Sequence, residues 1–203
     1  VSELRGPTSE VAAAMLSPLL HRIQNTTQLL IALRSLIGRK GPGATEELGE
    51  SLAEASRAAE EQGWLIGLLA RSMGSDVLLA REERHALRSA LRLVADWVRQ
   101  SRGTFELPKA WPALSLADGA PRSAELALEL LELAWRSIDP ASGARLTLGR
   151  SGETVELVLE AANCERAAGL FAGTSLARCG ASLQASQGSW KLRLPADWFE
   201  DEP

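Results

Sequence analysis

Gly38 to Gly43 read GRKGPG, and this run of helix breakers constrains the fold more than any other feature of the chain. On each side stands a long stretch whose apolar residues recur every three or four positions. Before it, Leu16, Leu19, Leu20, Ile23, Thr27, Leu30 and Ile37 gather on one side of a helix running from Ser9 or Glu10 to about Ile37. After it, Leu48, Leu52, Ala55, Ala59, Gln62, Ile66, Leu69 and Met73 keep the same spacing, which predicts a helix from about Ala44 to Met73. So short a connection forces the two helices to run antiparallel. A helical pair with apolar surface on both flanks cannot bury it alone. A second copy of the chain is the expected cover, giving a dimeric four-helix bundle. Pro18 either kinks the first helix or stands in the first turn of one capped by Ser17.

Gly74-Ser75-Asp76 reads as a junction, dividing the chain into 1–75 and 76–203. Beyond it, Arg81 to Gln100 is an amphipathic helix with Leu87, Leu91, Val94 and Val98 as core positions. Two short extended segments, 104–107 and 113–116, are separated by Pro108 and Pro112. An apolar helix over Ser123 to Ile138 follows, then a hairpin of 144–149 and 154–161. A helix from about Glu165 to Cys179 leads into a last hairpin, 182–186 and 190–194, ended by Pro195. The expected class is α+β: a helical hairpin, then an α/β sandwich with helices on one sheet face.

Composition narrows the function. Apolar residues make up 45% of the 203, enough for a substantial core. A net charge of −4 without a basic run argues against nonspecific nucleic-acid binding. Two cysteines, Cys164 and Cys179, make neither a disulfide framework nor a zinc set, and read as buried small apolar residues. No apolar run approaches the roughly 20 residues needed to span a bilayer. VSELRGPTSE lacks the blocks of a signal peptide, and its polar residues are expected to fray. The expected protein is cytoplasmic, with no membrane or nucleic-acid partner.

His21, Asn25 and Gln28 fall together on the watery side of the first helix. A histidine held in solvent with a polar partner one turn on is placed to be approached. HRIQNTTQLL, with His21, Arg22, Asn25 and Gln28, resembles the phosphoacceptor box of sensor histidine kinases whose box reads H-R-x-x-N. The hairpin then resembles the kinase dimerisation and histidine phosphotransfer domain. The order of elements after it resembles the kinase ATP-binding domain of the GHKL class.

The departures from that family bear on chemistry. Its nucleotide-binding helix carries N-L-L-x-N-A, whose second Asn helps hold Mg²⁺. This chain reads ELLELA over Glu129 to Ala134, with Leu133 at the place of that Asn, and leucine offers no oxygen to a hard cation. The family's D-x-G-x-G loop is replaced by Glu160-Ala161-Ala162-Asn163-Cys164, without its glycines. Only a few residues stand where its lid would be, and Gly169 and Gly173 lie in the wrong context to replace it. Phosphoryl transfer from ATP depends on positioning and charge neutralisation, so no ATP binding and no cofactor in this chain are expected.

An acceptor box joined to a degenerate ATP domain resembles the dimeric histidine phosphotransferases of bacterial phosphorelays, of the ChpT type. That resemblance implies phosphoryl passage between response-regulator aspartates through His21. The receiver would supply Mg²⁺, and a hybrid histidine kinase is a further partner. It also implies Arg22 near the developing phosphate charge, or paired with a receiver carboxylate, and Asn25 orienting the imidazole or touching the attacking group. The alternative is a scaffold without chemistry that docks a kinase or receiver.

Other polar residues have plainer readings. His85, in REERHALR, is expected to be a solvated helix residue, and Gln28 plain surface. Gln62 interrupts the apolar seam near the level of His21, either setting register or turning to solvent. Glu129 reads as an ordinary helix carboxylate. Trp64, between Gly63 and Gly67, reads as packing, as do Trp190 and Trp198.

Overall fold

Ser9–Lys40 forms one unbroken helix, α1, with Pro18 in its interior. The computed structural model describes residues 9–41, 48–75, 83–114 and 121–200. The expected fraying before Ser9, the last two residues of the GRKGPG run (42–43), the helix starts at Ala44 and Arg81, the junction at Asp76 and the strand end at 115–116 lie outside those residues. Helix α1 runs through Gly38 and stops at Gly41, whose positive φ of 81° suits glycine. Gly49–Ser72 forms α2, which packs along α1 as the other arm of the hairpin.

The inward faces differ from the expected seam. Helix α1 buries Val11, Ala12, Met15, Leu19 and Leu33, while Leu16, Leu20 and Leu30 stand exposed, Leu20 at 55%. On α2, Ala55, Gln62 and Leu69 of the expected seam are buried together with Trp64, Leu65 and Leu68 outside it, whereas Ile66, and Met73 just past the helix end, are 49% and 58% exposed. The cause is a third partner. Ala86–Gln100 forms α3 and packs against both arms of the hairpin, drawing in the flank that faces it and leaving the centre of the heptad stripe open.

Behind α3 lies α4, Ser123–Ser137, apolar on most of its circumference because it is covered on two sides. Its other side faces a five-stranded mixed sheet of order β1-β3-β4-β6-β5. The strands are β1, Phe105–Glu106; β3, Ala144–Ser151; β4, Thr154–Glu160; β5, Ser182–Ala185; and β6, Ser189–Pro195. Alternation in β4 and β6 sends Val155, Leu157, Leu159, Trp190, Leu192 and Leu194 inward. Register pairs Leu157 with Leu192 and Leu159 with Trp190. On the other face, Glu156 accepts from Arg193 Nε at 2.8 Å and Lys191 Nζ at 3.3 Å. These two cations hold its carboxyl below the usual carboxylate range.

The two short extended segments part company. β1 joins the main sheet parallel to β3, whereas β2, Ala113–Leu114, pairs antiparallel with a last strand β7, Phe199–Glu200. Gly103 opens this stretch, where a Cβ would collide with the Pro140 carbonyl. The single helix expected over 165–179 is in fact two, α5, Glu165–Phe171, and α6, Ser175–Arg178. Gly173 weakens the helix, and Thr174, in extended conformation, caps the second piece by accepting from Ala177 N at 3.2 Å. One continuous apolar core runs from α1 and α2 through α3 and α4 to the sheet.

Candidate functional site: the His21 face

The exposed side of α1 presents His21, Asn25 and Gln28, as the helical period requires. Asn25 Nδ2 stands 3.4 Å from His21 Nε2, one turn away. In the tautomer that carries its proton on Nδ1, Nε2 is the acceptor of this amide N–H. At 3.4 Å this is a light contact that steers the ring without committing the lone pair. Gln28 is exposed, as expected of plain surface.

Arg22 points elsewhere. It follows His21 by 100° around the helix and turns into the junction of α1, α2 and α3. Its Nη2 lies 3.4 Å from Glu61 Oε1, and its Nε 3.5 Å from Asp96 Oδ2. The structure thus brings His21 and Asn25 together and does not bring the Arg22 guanidinium to them.

Beneath this turn lies Gln62, 6% exposed. Its Nε2 donates to Thr26 Oγ1 at 2.6 Å and to the Arg22 carbonyl at 3.3 Å. Of its two readings, turning to solvent is excluded. A buried amide bonded across the hairpin penalises any sliding of α1 along α2, because a shifted register would strand it unpaired. The backbone below His21 is thereby held in place.

In the C-terminal half, Leu133 is 1% exposed and packs in the core. Glu129, one turn earlier on α4, spans to α6: its Oε1 accepts from Ser175 N and Ser175 Oγ, both at 2.6 Å, and its Oε2 from Leu176 N at 2.9 Å. This carboxylate satisfies the first N–H groups of a second helix, a role beyond the ordinary helix carboxylate expected of it. The Gly173-Thr174-Ser175 sequence, a helix start after a breaker, was the available signal for α6, but nothing local points to a carboxylate 46 residues away. Glu129→Ala is expected to cost about 1–2 kcal/mol by removing that cap, measured as a lower urea midpoint.

Other candidates fall into structural places. His85 is half-buried in the turn before α3, not solvated on a helix, and its backbone N–H donates to Glu83 Oε1 at 3.2 Å. Trp64, Trp190 and Trp198 are buried, as packing residues should be. Cys164 is buried, its thiol pushed up by that burial, while Cys179 is half-buried. No group of metal-ligating side chains occurs among the described residues, and none of their helices is long and apolar enough to cross a membrane. The chain matches no protein-family model and is similar to no curated protein.

Proposed function

We propose that this chain is a homodimeric histidine phosphotransferase that passes phosphoryl groups between response-regulator aspartates through His21, without binding ATP. The observation that carries the reading is the exposed His21 imidazole, its Nε2 met only lightly by Asn25 on a helix whose opposite flank is packed. In the transfer, the Nε2 lone pair attacks phosphorus of a receiver's aspartyl phosphate. The P–O bond breaks, its electron pair leaves with the aspartate carboxylate, and the imidazolium formed releases the Nδ1 proton to solvent. Onward transfer reverses these steps at a second receiver. The receiver brings its own Mg²⁺ and acidic pocket, so this chain has only to present and orient the ring.

Two features of the α/β half support the ATP-independent part. Leu133 is packed in the core where the resembled family uses a metal-binding Asn, and Glu129 is committed to the N–H groups of α6. A carboxylate there opposes an incoming phosphate. These residues do not fit Mg²⁺ and a nucleotide. Calorimetry with Mg²⁺-ATP is therefore expected to show no binding at micromolar concentrations, and micromolar affinity overturns this part.

The open stripe of Leu16, Leu20, Leu30, Ile66 and Met73 supports the homodimer. It joins both arms of the hairpin at heptad spacing, and a second copy offers the same stripe in return. Leu20→Glu is expected to convert dimer to monomer in sedimentation velocity at micromolar protein; a wild-type monomer at that concentration removes the dimer.

The decisive experiment mixes the protein with receivers carrying labelled phosphoryl groups. Uptake of label supports the relay. Failure across all cognate receivers leaves the scaffold without chemistry.

A further inference from the structure

The geometry points to Arg22 as a switch that clamps α1 to α3 while His21 is bare and swings to the phosphoryl group when His21 carries one. This inference rests on the phosphotransfer reading of His21 and adds a means by which the loaded state is felt by the α/β half.

The clamp is loosely made. The Arg22 contacts, Nη2 to Glu61 Oε1 and Oε2 at 3.4 and 3.5 Å and Nε to Asp96 Oδ2 at 3.5 Å, all exceed the 2.7–2.9 Å of a well-formed charge-assisted bond. Its Nη1 is buried with no hydrogen-bond partner among the described residues. A guanidinium with five donors in a fixed fork is here using two groups poorly and one not at all.

The carboxylates it would leave keep other cations. Asp96 Oδ1 holds Arg99 Nη1 at 2.9 Å, a shorter contact than it makes with Arg22. Glu61 lies in the field of Arg92, which burial and the neighbouring Arg88 push below its ordinary range while Glu61 and Asp96 draw it back. Arg22 is thus one of several arginines crowding two carboxylates, and it repels Arg92. Its departure relieves that repulsion and leaves neither Glu61 nor Asp96 without a positive neighbour.

A phosphoryl group on Nε2 supplies what the junction does not: about −2 charge and three strong acceptor oxygens. Consecutive residues on a helix do not face each other, so a short side chain at this position could not reach. Arginine, on its long flexible stem, can turn from the junction toward the histidine. The cost falls on the α1–α3 contact, which loses its only side-chain ion pair among the described residues.

Phosphoramidate is the probe. The neutral imidazole attacks its phosphorus, the P–N bond to the leaving group breaks, and ammonia departs with the proton. Loading is read by ³¹P NMR, Arg22 by its Nε–Hε resonance, assigned from its loss in Arg22→Gln, and α3 by hydrogen exchange over 86–100. Loading is expected to shift the Arg22 resonance and to raise exchange in α3 by roughly threefold or more. Arg22→Gln and the pair Glu61→Gln, Asp96→Asn are expected to show the raised exchange already, with no further change on loading. A ³¹P signal from phosphohistidine with the Arg22 resonance and α3 exchange unchanged overturns the switch and leaves the relay standing. No loading of wild-type protein by phosphoramidate or by any receiver overturns both.

Discussion

In the transfer assay, His21→Ala is expected to take up no label from a phosphorylated receiver, a loss of at least about a thousandfold against wild type. The side chain supplies the only nucleophile in the proposed step, so nothing else on α1 can substitute for it. Its removal leaves the fold alone. His21 is exposed and its side-chain hydrogen bond to Asn25, the one it makes among the described residues, is 3.4 Å long, so stability should change by less than about 0.5 kcal/mol. This separation makes the test clean: full loss of transfer in a variant with an unchanged urea midpoint. Asn25→Ala should retain transfer at a rate lowered about three- to tenfold, because the ring loses its steering contact but keeps its lone pair. Label transfer that survives His21→Ala would falsify the assignment of His21.

Trp190→Ala is expected to destabilise the protein by about 3–5 kcal/mol, the largest effect anticipated for a single core substitution here. Trp190 is 1% exposed on β6, between the sheet and α4. Its indole N–H donates to Ser137 Oγ at 3.0 Å, and that hydroxyl donates to the Leu133 carbonyl at 2.7 Å. The truncation opens a cavity in the layer joining sheet to helix and strands a polar chain built around the indole. Ser137→Ala isolates the second part: it should cost about 1–3 kcal/mol by leaving the buried indole N–H unbonded. Equilibrium urea unfolding measures both. A loss below about 1 kcal/mol for Trp190→Ala would mean that the sheet and α4 are not held as described. His21 lies on the far side of the helical layers, so a folded Trp190 variant should still take up label.

The hairpin, most of the β-strands and the position of His21 were legible because each rests on a local period. A hundred degrees per residue puts His21 and Asn25 on one face whatever surrounds them, and two-residue alternation in β4 assigns its inward side directly. The heptad stripe was legible too, but its burial was not. Leu20 and Ile66 belong to the stripe and yet stand open, because α3 covers a flank of the hairpin and not its centre. Similarly, the break between α5 and α6 was hidden by alanine-rich flanks that suit a helix on either side of Gly173.

The amino-acid sequence by itself determined which side chains are available at the candidate site: a solvent-facing histidine with an asparagine one turn on. Only the tertiary structure decided what the neighbours do. Arg22 turns to Glu61 and Asp96, and Glu129 caps a helix whose start is remote in sequence. Helical periodicity sets the direction in which a side chain leaves its own helix. A charged group's partner is set by whichever opposite charge or open N–H the fold brings within reach, and for both residues that partner lies tens of positions away.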